Sequence, residues 1–304
     1  MVSKDFNSLF ELFSAFPDEQ SCIDHLEELR WGGVVVSPFD PTSKVYKCKD
    51  NKYRCKNTGK YFNVKTNTLF DGTKIELRKW FAAIWIVTSH KKGISSYQLS
   101  RDIDVTQKTA WFMLQRIRNC FGIENNNDLN NTVEMDETYV GGKNKNRHAD
   151  KKSKNARGRS IKDKTPVFGM VERKGKLNAK VVPDTSCETL TKETIKYVNN
   201  AIVYTDEWWG YNSIKNLFQH EIVKHKMSEY VREHVYTNTI EGFWSLLKRG
   251  IIGIYHFTSK QHLQKYVDEF VFRYNTRHHS ERGRFDLLLK NTEHRLTYKE
   301  LIYG

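Results

Sequence analysis

Apolar positions change period several times along the chain, and each change marks an element. Around Phe6–Leu29 they fall at helical spacing. A turn-rich piece follows, Ser37-Pro38-Phe39-Asp40-Pro41, and then Tyr46-Lys47-Cys48 and Tyr53-Arg54-Cys55-Lys56-Asn57-Thr58 take the rhythm of two small hairpins. From Lys74 to Phe121 the helical period returns. Trp80, Ile84, Val87 and Thr88 share one stripe, and Ser95–Ile103 and Thr106–Arg118 form two further helices, with Ser95 and Thr106 placed as N-caps. Their link, Ile103-Asp104-Val105, has the length of a helix-turn-helix turn, with Asp104 where Gly is usual; Asp tolerates left-handed backbone better than most residues. In that motif the second helix enters the major groove, so Gln107, Lys108 and Gln115 are expected to face DNA while Ala110, Met113, Leu114 and Ile117 face the core.

The next stretch, Glu124–Thr132, is rich in Asn and Asp and reads as a linker or exposed joint. Three β-prone runs follow, Val133–Val140, Pro166–Glu172 and Ala179–Val182. After them the pattern predicts a helix over Thr189–Asn199, a strand at Ala201–Thr205, a helix beginning near Tyr211, a strand at Glu221–Val223 and a long helix from about Thr239. This order is that of an RNase H-like α/β fold. The expected division is therefore a zinc-ribbon-like segment over 1–65, a helix-turn-helix domain over 66–124, an RNase H-like domain over 132–290 and a C-terminal tail over 291–304.

Charge narrows the partner. Fifty Lys and Arg against 36 Asp and Glu leave the 304-residue chain at +14, which suits a polyanion, most simply nucleic acid. Thirteen per cent aromatic residues supply a core large enough to exclude disorder. No window approaches the roughly 18–20 apolar residues that span a bilayer, and the first residues lack a signal-peptide core, so a cytoplasmic, nucleoid-associated protein with no membrane partner is expected. The five cysteines are odd in number and scattered, as reduced thiols are. A zinc ribbon needs two Cys-x-x-Cys knuckles, yet the equivalent positions read Ser37-x-x-Asp40 and Cys55-x-x-Thr58, so no structural zinc is expected.

The chemistry rests on three acids. Asp136 lies on the first strand of the second half, Asp206 ends a later strand and Glu241 begins the long helix. Phosphodiester transfer uses two divalent ions about 3.5–4 Å apart, and hard Mg²⁺ or Mn²⁺ takes carboxylate oxygens while keeping several waters. Asp136 could bridge both ions, and open sheets gather ligands at strand ends such as that of Asp206. Lys248 follows Glu241 by two helical turns, which puts it on the same face to hold a phosphate. Each acid has a duller role available, as helix cap, first-turn carboxylate or exposed strand residue. Glu134 and Glu137 compete for the role of Asp136 but flank it on the strand, Glu134 on its face and Glu137 pointing away.

Longer motifs surround these acids: Met135-Asp136-Glu137-Thr138-Tyr139-Val140-Gly141-Gly142-Lys143, Tyr204-Thr205-Asp206-Glu207-Trp208-Trp209-Gly210-Tyr211, Thr237-Asn238-Thr239-Ile240-Glu241-Gly242-Phe243-Trp244 running on to Gly250, and Tyr266–Arg277. In them the chain resembles insertion-sequence transposases of the DDE superfamily, specifically the ISXO2-like branch. The resemblance implies a degenerate zinc ribbon, a helix-turn-helix and an RNase H-like catalytic domain. It also implies an enzyme that cuts DNA at element ends and joins them to a target. It makes Asp136, Asp206 and Glu241 the ligands of two Mg²⁺ or Mn²⁺ ions, leaves Asn238 as an alternative third ligand or orienting group, and matches Lys248 to a phosphate-holding cation, with Arg249 beside it. Its partners would be double-stranded DNA of the terminal repeats and of the target, and a second copy of the chain.

The segment Lys143–Lys164 carries ten Lys or Arg against Asp150 and Asp163. Lys143, Lys145, Arg147, Arg157 and Arg159 are accordingly expected on the DNA backbone, in a loop between the first two strands. Trp208, Trp209 and Trp244 lie near the acids, available to pack in the core or to stack on unpaired bases. Two rival readings stand beside the transposase: a DNA-binding remnant or repressor with the same fold and no catalysis, which the intact acids argue against, and a plain RNase H-like nuclease, which the helix-turn-helix disfavours.

Overall fold

A computed structural model describes residues 6–142, 148, 150, 164–223 and 236–303. It divides into two compact units, one formed by residues 1–121 with 278–304 and the other by 122–277. No described helix is long and apolar enough to cross a membrane.

The first unit opens with helices α1 (Leu9–Ala15) and α2 (Glu19–Trp31), followed by a small antiparallel sheet of β1 (Val45–Lys47), β2 (Tyr53–Cys55) and β3 (Tyr61–Phe62). The positions read from sequence as degenerate knuckles, Ser37, Asp40, Cys55 and Thr58, are held in a hydrogen-bonded knot. Ser37 Oγ accepts the amides of Phe39 and Asp40 at 3.2 and 3.4 Å, and Asp40 Oδ2 accepts from Asn57 Nδ2 at 2.7 Å. Burial raises the Cys55 thiol, but hydrogen bonds with the hydroxyls of Ser37, Ser43 and Thr58 outweigh it and bring the thiol down to about 6. Tyr53, Cys55 and Phe62 pack with Trp31, Val35 and Val45 beneath. With Cys55 the one thiol among these four positions, zinc measured by plasma emission on the purified protein should fall far below one ion per chain. A stoichiometric ion would contradict this account of the knot.

Helix α3 (Leu77–Ser89) is buried almost all round, so its sequence reads as one apolar run from Trp80 to Val87. Next come α4 (Ser96–Asp102) and α5 (Gln107–Asn119). Ser95 caps α4 by accepting from the Gln98 amide, Thr106 caps α5 by accepting from the Thr109 amide, and Asp104 between them takes φ 50.

The second unit carries β4 (Leu129–Val140), β5 (Thr165–Glu172), β6 (Leu177–Val181), α6 (Cys187–Tyr197), β7 (Val198–Thr205), β8 (Gln219–Ile222), α7 (Asn238–Gly250) and α8 (Leu263–Asn275). Its described strands form one sheet in the order β6-β5-β4-β7-β8. β5 pairs antiparallel with both β4 and β6, whereas β7 runs parallel to β4 and β8 parallel to β7. Alternation divides the strands between two cores. Val140, Val167 and Val171 pack under α7 and α8 with Ile240, Phe243, Trp244, Leu247 and Phe270, while Val133, Met135, Phe168 and Met170 meet Leu190, Tyr211 and Ile214 on the opposite face.

Two expectations change here. The Asn-rich stretch is only in part an exposed joint: Asn126, Asp128, Asn130 and Asn131 are exposed, just past the boundary between the units, but Asn125 is fully buried, and its side-chain amide pairs with both backbone groups of Ala179 (2.6 and 2.7 Å), as a neighbouring strand would. Leu129–Thr132 already belongs to β4, with Asn131 at φ 60 where the register shifts. In place of a helix from Tyr211 the chain makes two short 3-10 turns, Trp209–Tyr211 and Ile214–Asn216.

After α8 the chain returns to the first unit as α9 (Glu281–Lys290) and α10 (Tyr298–Tyr303). Phe285 of α9 meets Phe6 and Phe81 edge-on at 5.4 and 5.5 Å, so residues read from sequence as the end of the catalytic segment complete the core around α3. Within the second unit, α7 and α8 approach closely at Gly250. A Cβ there would lie 2.1 Å from Phe270 Cζ. Gly250→Ala should therefore destabilise by about 1–3 kcal/mol through overpacking, although Ala is the better helix former by about 1 kcal/mol. Denaturant titration gives the sign directly.

Candidate functional site

Asp136 sits midway along β4, opposite Gly169 of β5. It shares its strand face with Glu134, and that face looks toward α7: Trp244 Nε1 donates to Asp136 Oδ2 at 3.0 Å. The contact exists because Gly169 has no side chain. A Cβ at that position would stand 2.5 Å from Trp244 Cζ2 and 2.8 Å from Ile240 Cδ1, where the indole now crosses the sheet.

The spacing of Asp136 and Asp206 is a strand register. Glu134 is level with Tyr204 on the parallel strand β7, so continuing two residues along both strands brings Asp206, just past the end of β7, beside Asp136. Neighbouring strands lie about 4.8 Å apart. Asp206 Oδ1 accepts the Trp208 amide at 2.9 Å, which fixes the carboxylate in a tight turn. Glu241 occupies the first turn of α7, where its Oε1 accepts from Thr237 Oγ1 at 3.0 Å.

Electrostatics tie the acids together. Burial raises the Asp136 carboxyl from the usual range to about 8, and the charges of Glu137, Asp206 and Glu241 push in the same direction. Glu137 faces the other way, as alternation predicts, and accepts from the buried Tyr211 hydroxyl at 2.7 Å. Burial, then the carboxylates of Glu137, Asp136 and Asp206, hold that phenol well above its ordinary value. Among the described residues no three His, Cys, Asp or Glu side chains stand close enough together to hold a metal ion. The acids are thus within Coulombic range of one another without a closed ligand cage.

Helix α7 buries Ile240, Phe243, Trp244, Leu247 and Gly250 and exposes Asn238, Glu241, Ser245, Lys248 and Arg249. Glu241 and Lys248 therefore share the exposed side, two turns apart. Of the tryptophans, Trp244 is core, Trp208 is half-buried with its Nε1 donating to Thr185 O at 3.3 Å, and Trp209 is 55% exposed.

In the first unit, Lys108 is exposed at the start of α5, while Gln107 is half-buried and donates to Ser96 Oγ at 2.8 Å. Gln115 does not face outward. It is fully buried, in a part of α5 where Met113 through Arg118 are all buried, and its neighbour Arg116 donates to the carbonyls of Leu296 and Leu69 (2.9 Å each). Lys143, Lys145, Arg147, Arg157 and Arg159 lie outside the described residues.

Glu134, which the sequence offers as a competitor for the role of Asp136, has a different part that sequence reasoning did not show. It is fully buried, forms an ion pair with Arg173 at 2.8 Å and accepts from the first turn of α7. The available signal was a carboxylate within an apolar strand on the face of Asp136. Gly169, equally necessary, carried no signal beyond being a glycine within a strand.

Comparison with known proteins adds two findings. The model of the ISXO2-like transposase domain family matches residues 128–275, nearly the whole second unit. A protein of Halobacterium salinarum (strain ATCC 700922 / JCM 11081 / NRC-1), described as an uncharacterized protein in transposable element ISH50, is 30% identical over 276 residues, which is 85% of this chain and 91% of the relative.

Proposed function

The chain belongs to the ISXO2-like transposases, and from that premise we propose that it is a metal-dependent enzyme that cleaves DNA at the ends of its element and joins them to target DNA. The observation that carries this reading is the convergence on Asp136 of carboxylates from three elements, β4, β7 and α7, in a chain whose net charge is +14. Their mutual repulsion has no structural use, and an all-oxygen set of this kind suits hard divalent cations. The antiparallel β4-β5-β6 with parallel β7 and β8 alongside supports an RNase H-like reading of this domain.

Asp136, Asp206 and Glu241 would hold two Mg²⁺ or Mn²⁺ ions, with Asn238 the alternative to Glu241; the ions supply Lewis acidity and an activated oxygen nucleophile. The protein's own groups do the placing. Trp244 fixes one oxygen of Asp136, the Trp208 amide fixes one of Asp206, and Lys248 with Arg249 on the exposed side of α7 holds DNA phosphates beside Glu241. Water attacks phosphorus in line and breaks the P–O3′ bond at the element end, leaving a 5′-phosphate and a free 3′-hydroxyl; that hydroxyl then attacks a target phosphodiester in line and displaces its 3′-oxygen, with no covalent protein intermediate. Helices α4 and α5, with Lys108 exposed, are read as the helix-turn-helix that binds double-stranded DNA. Processing two ends together calls for more than one copy of the chain.

The test is a reaction on DNA bearing the repeats that flank the gene, with Mg²⁺ and a supercoiled target. Cleavage followed by joined product is expected. Binding without cleavage would favour a repressor, and cleavage without joining a plain nuclease.

A further inference from the structure

The first turn of α7 has an unusual anchor. Thr237, at the N-cap position, makes no side-chain capping bond and donates its hydroxyl instead to Glu241. The free amides of the helix start are met from another element: Glu134 Oε2 accepts from Thr239 N at 2.8 Å and Ile240 N at 3.2 Å, while Oε1 accepts from Thr239 Oγ1 at 2.8 Å and Arg173 Nε at 2.8 Å. Arg173 is fixed in turn. Its Nη2 donates to Tyr236 O at 2.8 Å, and its guanidinium lies 3.6 Å from the Tyr236 ring centre and 4.6 Å from that of Tyr204.

Every partner of Glu134 is a donor, and the carboxylate is fully buried. A buried ion pair of this kind is a poor source of stability, since hydrophobic replacement often does as well. It is a good source of register. One strand carries both Asp136 and, two residues earlier on the same face, the group that caps the helix bearing Asn238, Glu241 and Lys248.

We propose that Glu134, held by Arg173, is a positioning residue that sets the start of α7, and so Glu241, at its working distance from Asp136. The inference rests on the catalytic reading of Asp136, Asp206 and Glu241 given above. Glu134 touches neither DNA nor metal in this role; it acts through the helix it caps.

Glu134→Gln tests it, because the new amide would point a donor at donors. Joining is measured against Mg²⁺ concentration, with DNA binding and thermal unfolding followed in parallel. The expected result is a rise of about 10- to 100-fold in the Mg²⁺ needed for half-maximal joining, the range for groups that orient metal ligands, while binding of end DNA changes little. Thr239→Val, which removes one bond to Oε1 and keeps both backbone amides on Oε2, should raise the Mg²⁺ midpoint about two- to threefold with full joining at saturation, as loss of one hydrogen bond of about 0.5 kcal/mol would. It also covers the case in which Glu134→Gln fails to fold. An unchanged Mg²⁺ midpoint in the folded variants, with activity merely following the folded fraction, overturns the proposal and leaves a structural ion pair. If the wild type itself joins no DNA, it is the catalytic reading that fails.

Discussion

Asp136→Asn is expected to cut DNA joining steeply and, in the absence of divalent ions, to make the protein more stable at pH 8. Both effects come from one cause. Burial and the charges of Glu137, Asp206 and Glu241 raise the Asp136 carboxyl to about 8, against about 3.9 in an unfolded chain. A carboxyl raised on folding binds its proton more tightly in the native state. Its contribution to stability is full below the unfolded value and is lost as pH rises through the folded one. Metal-free wild type should therefore lose stability between about pH 4 and 8, a loss that Asn, which carries no charge, avoids. Asn still accepts from Trp244 Nε1, so the packing is kept. Scanning calorimetry with chelator at pH 8 should show the variant melting higher by on the order of 5 °C. Joining should fall about a thousandfold, the several kcal/mol that a metal clamp contributes. A variant that is less stable than wild type at every pH would refute the electrostatic part.

Gly169→Ala should have the next largest effect for its size. Its methyl would stand 2.5 Å from Trp244 Cζ2 and 2.8 Å from Ile240 Cδ1. An indole wedged between sheet and helix has no rotamer to retreat into, so α7 must move away from β4. The expected cost is about 1–3 kcal/mol, offset only in part by the lower unfolded-state entropy of Ala, about 0.4–1 kcal/mol. Loss of the Trp244–Asp136 bond and displacement of Glu241 should reduce joining at least as much as stability. Adding Trp244→Phe shortens the ring that clashes, so the double variant should regain stability without regaining the indole N–H. Urea unfolding of the four proteins in the cycle reads the coupling. Simple additivity would place Gly169 outside this contact.

What could be read from the linear chain was what local chemistry dictates. Ser95 and Thr106 cap their helices as small hydroxyl residues ahead of helical runs do, and Asp104 adopts the left-handed backbone that its type tolerates. Alternation on β4 correctly separated Glu134 and Asp136 from Glu137, and helical spacing put Lys248 on the side of Glu241. Long-range closure could not be read in the same way. The period of α5 shows one buried stripe but not how many neighbours cover the helix, so Gln115 was expected at a surface, whereas the helix is buried all round from Met113 to Arg118. Asn125 looked like a joint because Asn is a turn former, whereas its amide stands in for a strand partner. Gly169 and Glu134 draw their meaning from Trp244 and Thr239, residues far along the chain.

The central claim, that Asp136, Asp206 and Glu241 hold the ions that drive joining, is tested most directly by exchanging the metal preference of one ligand. Thiolate is a soft ligand that Mg²⁺ avoids and Mn²⁺ accepts more readily. Asp206→Cys should lose joining in Mg²⁺ and recover a measurable part of it in Mn²⁺; joining at the wild-type level in Mg²⁺ would contradict the assignment.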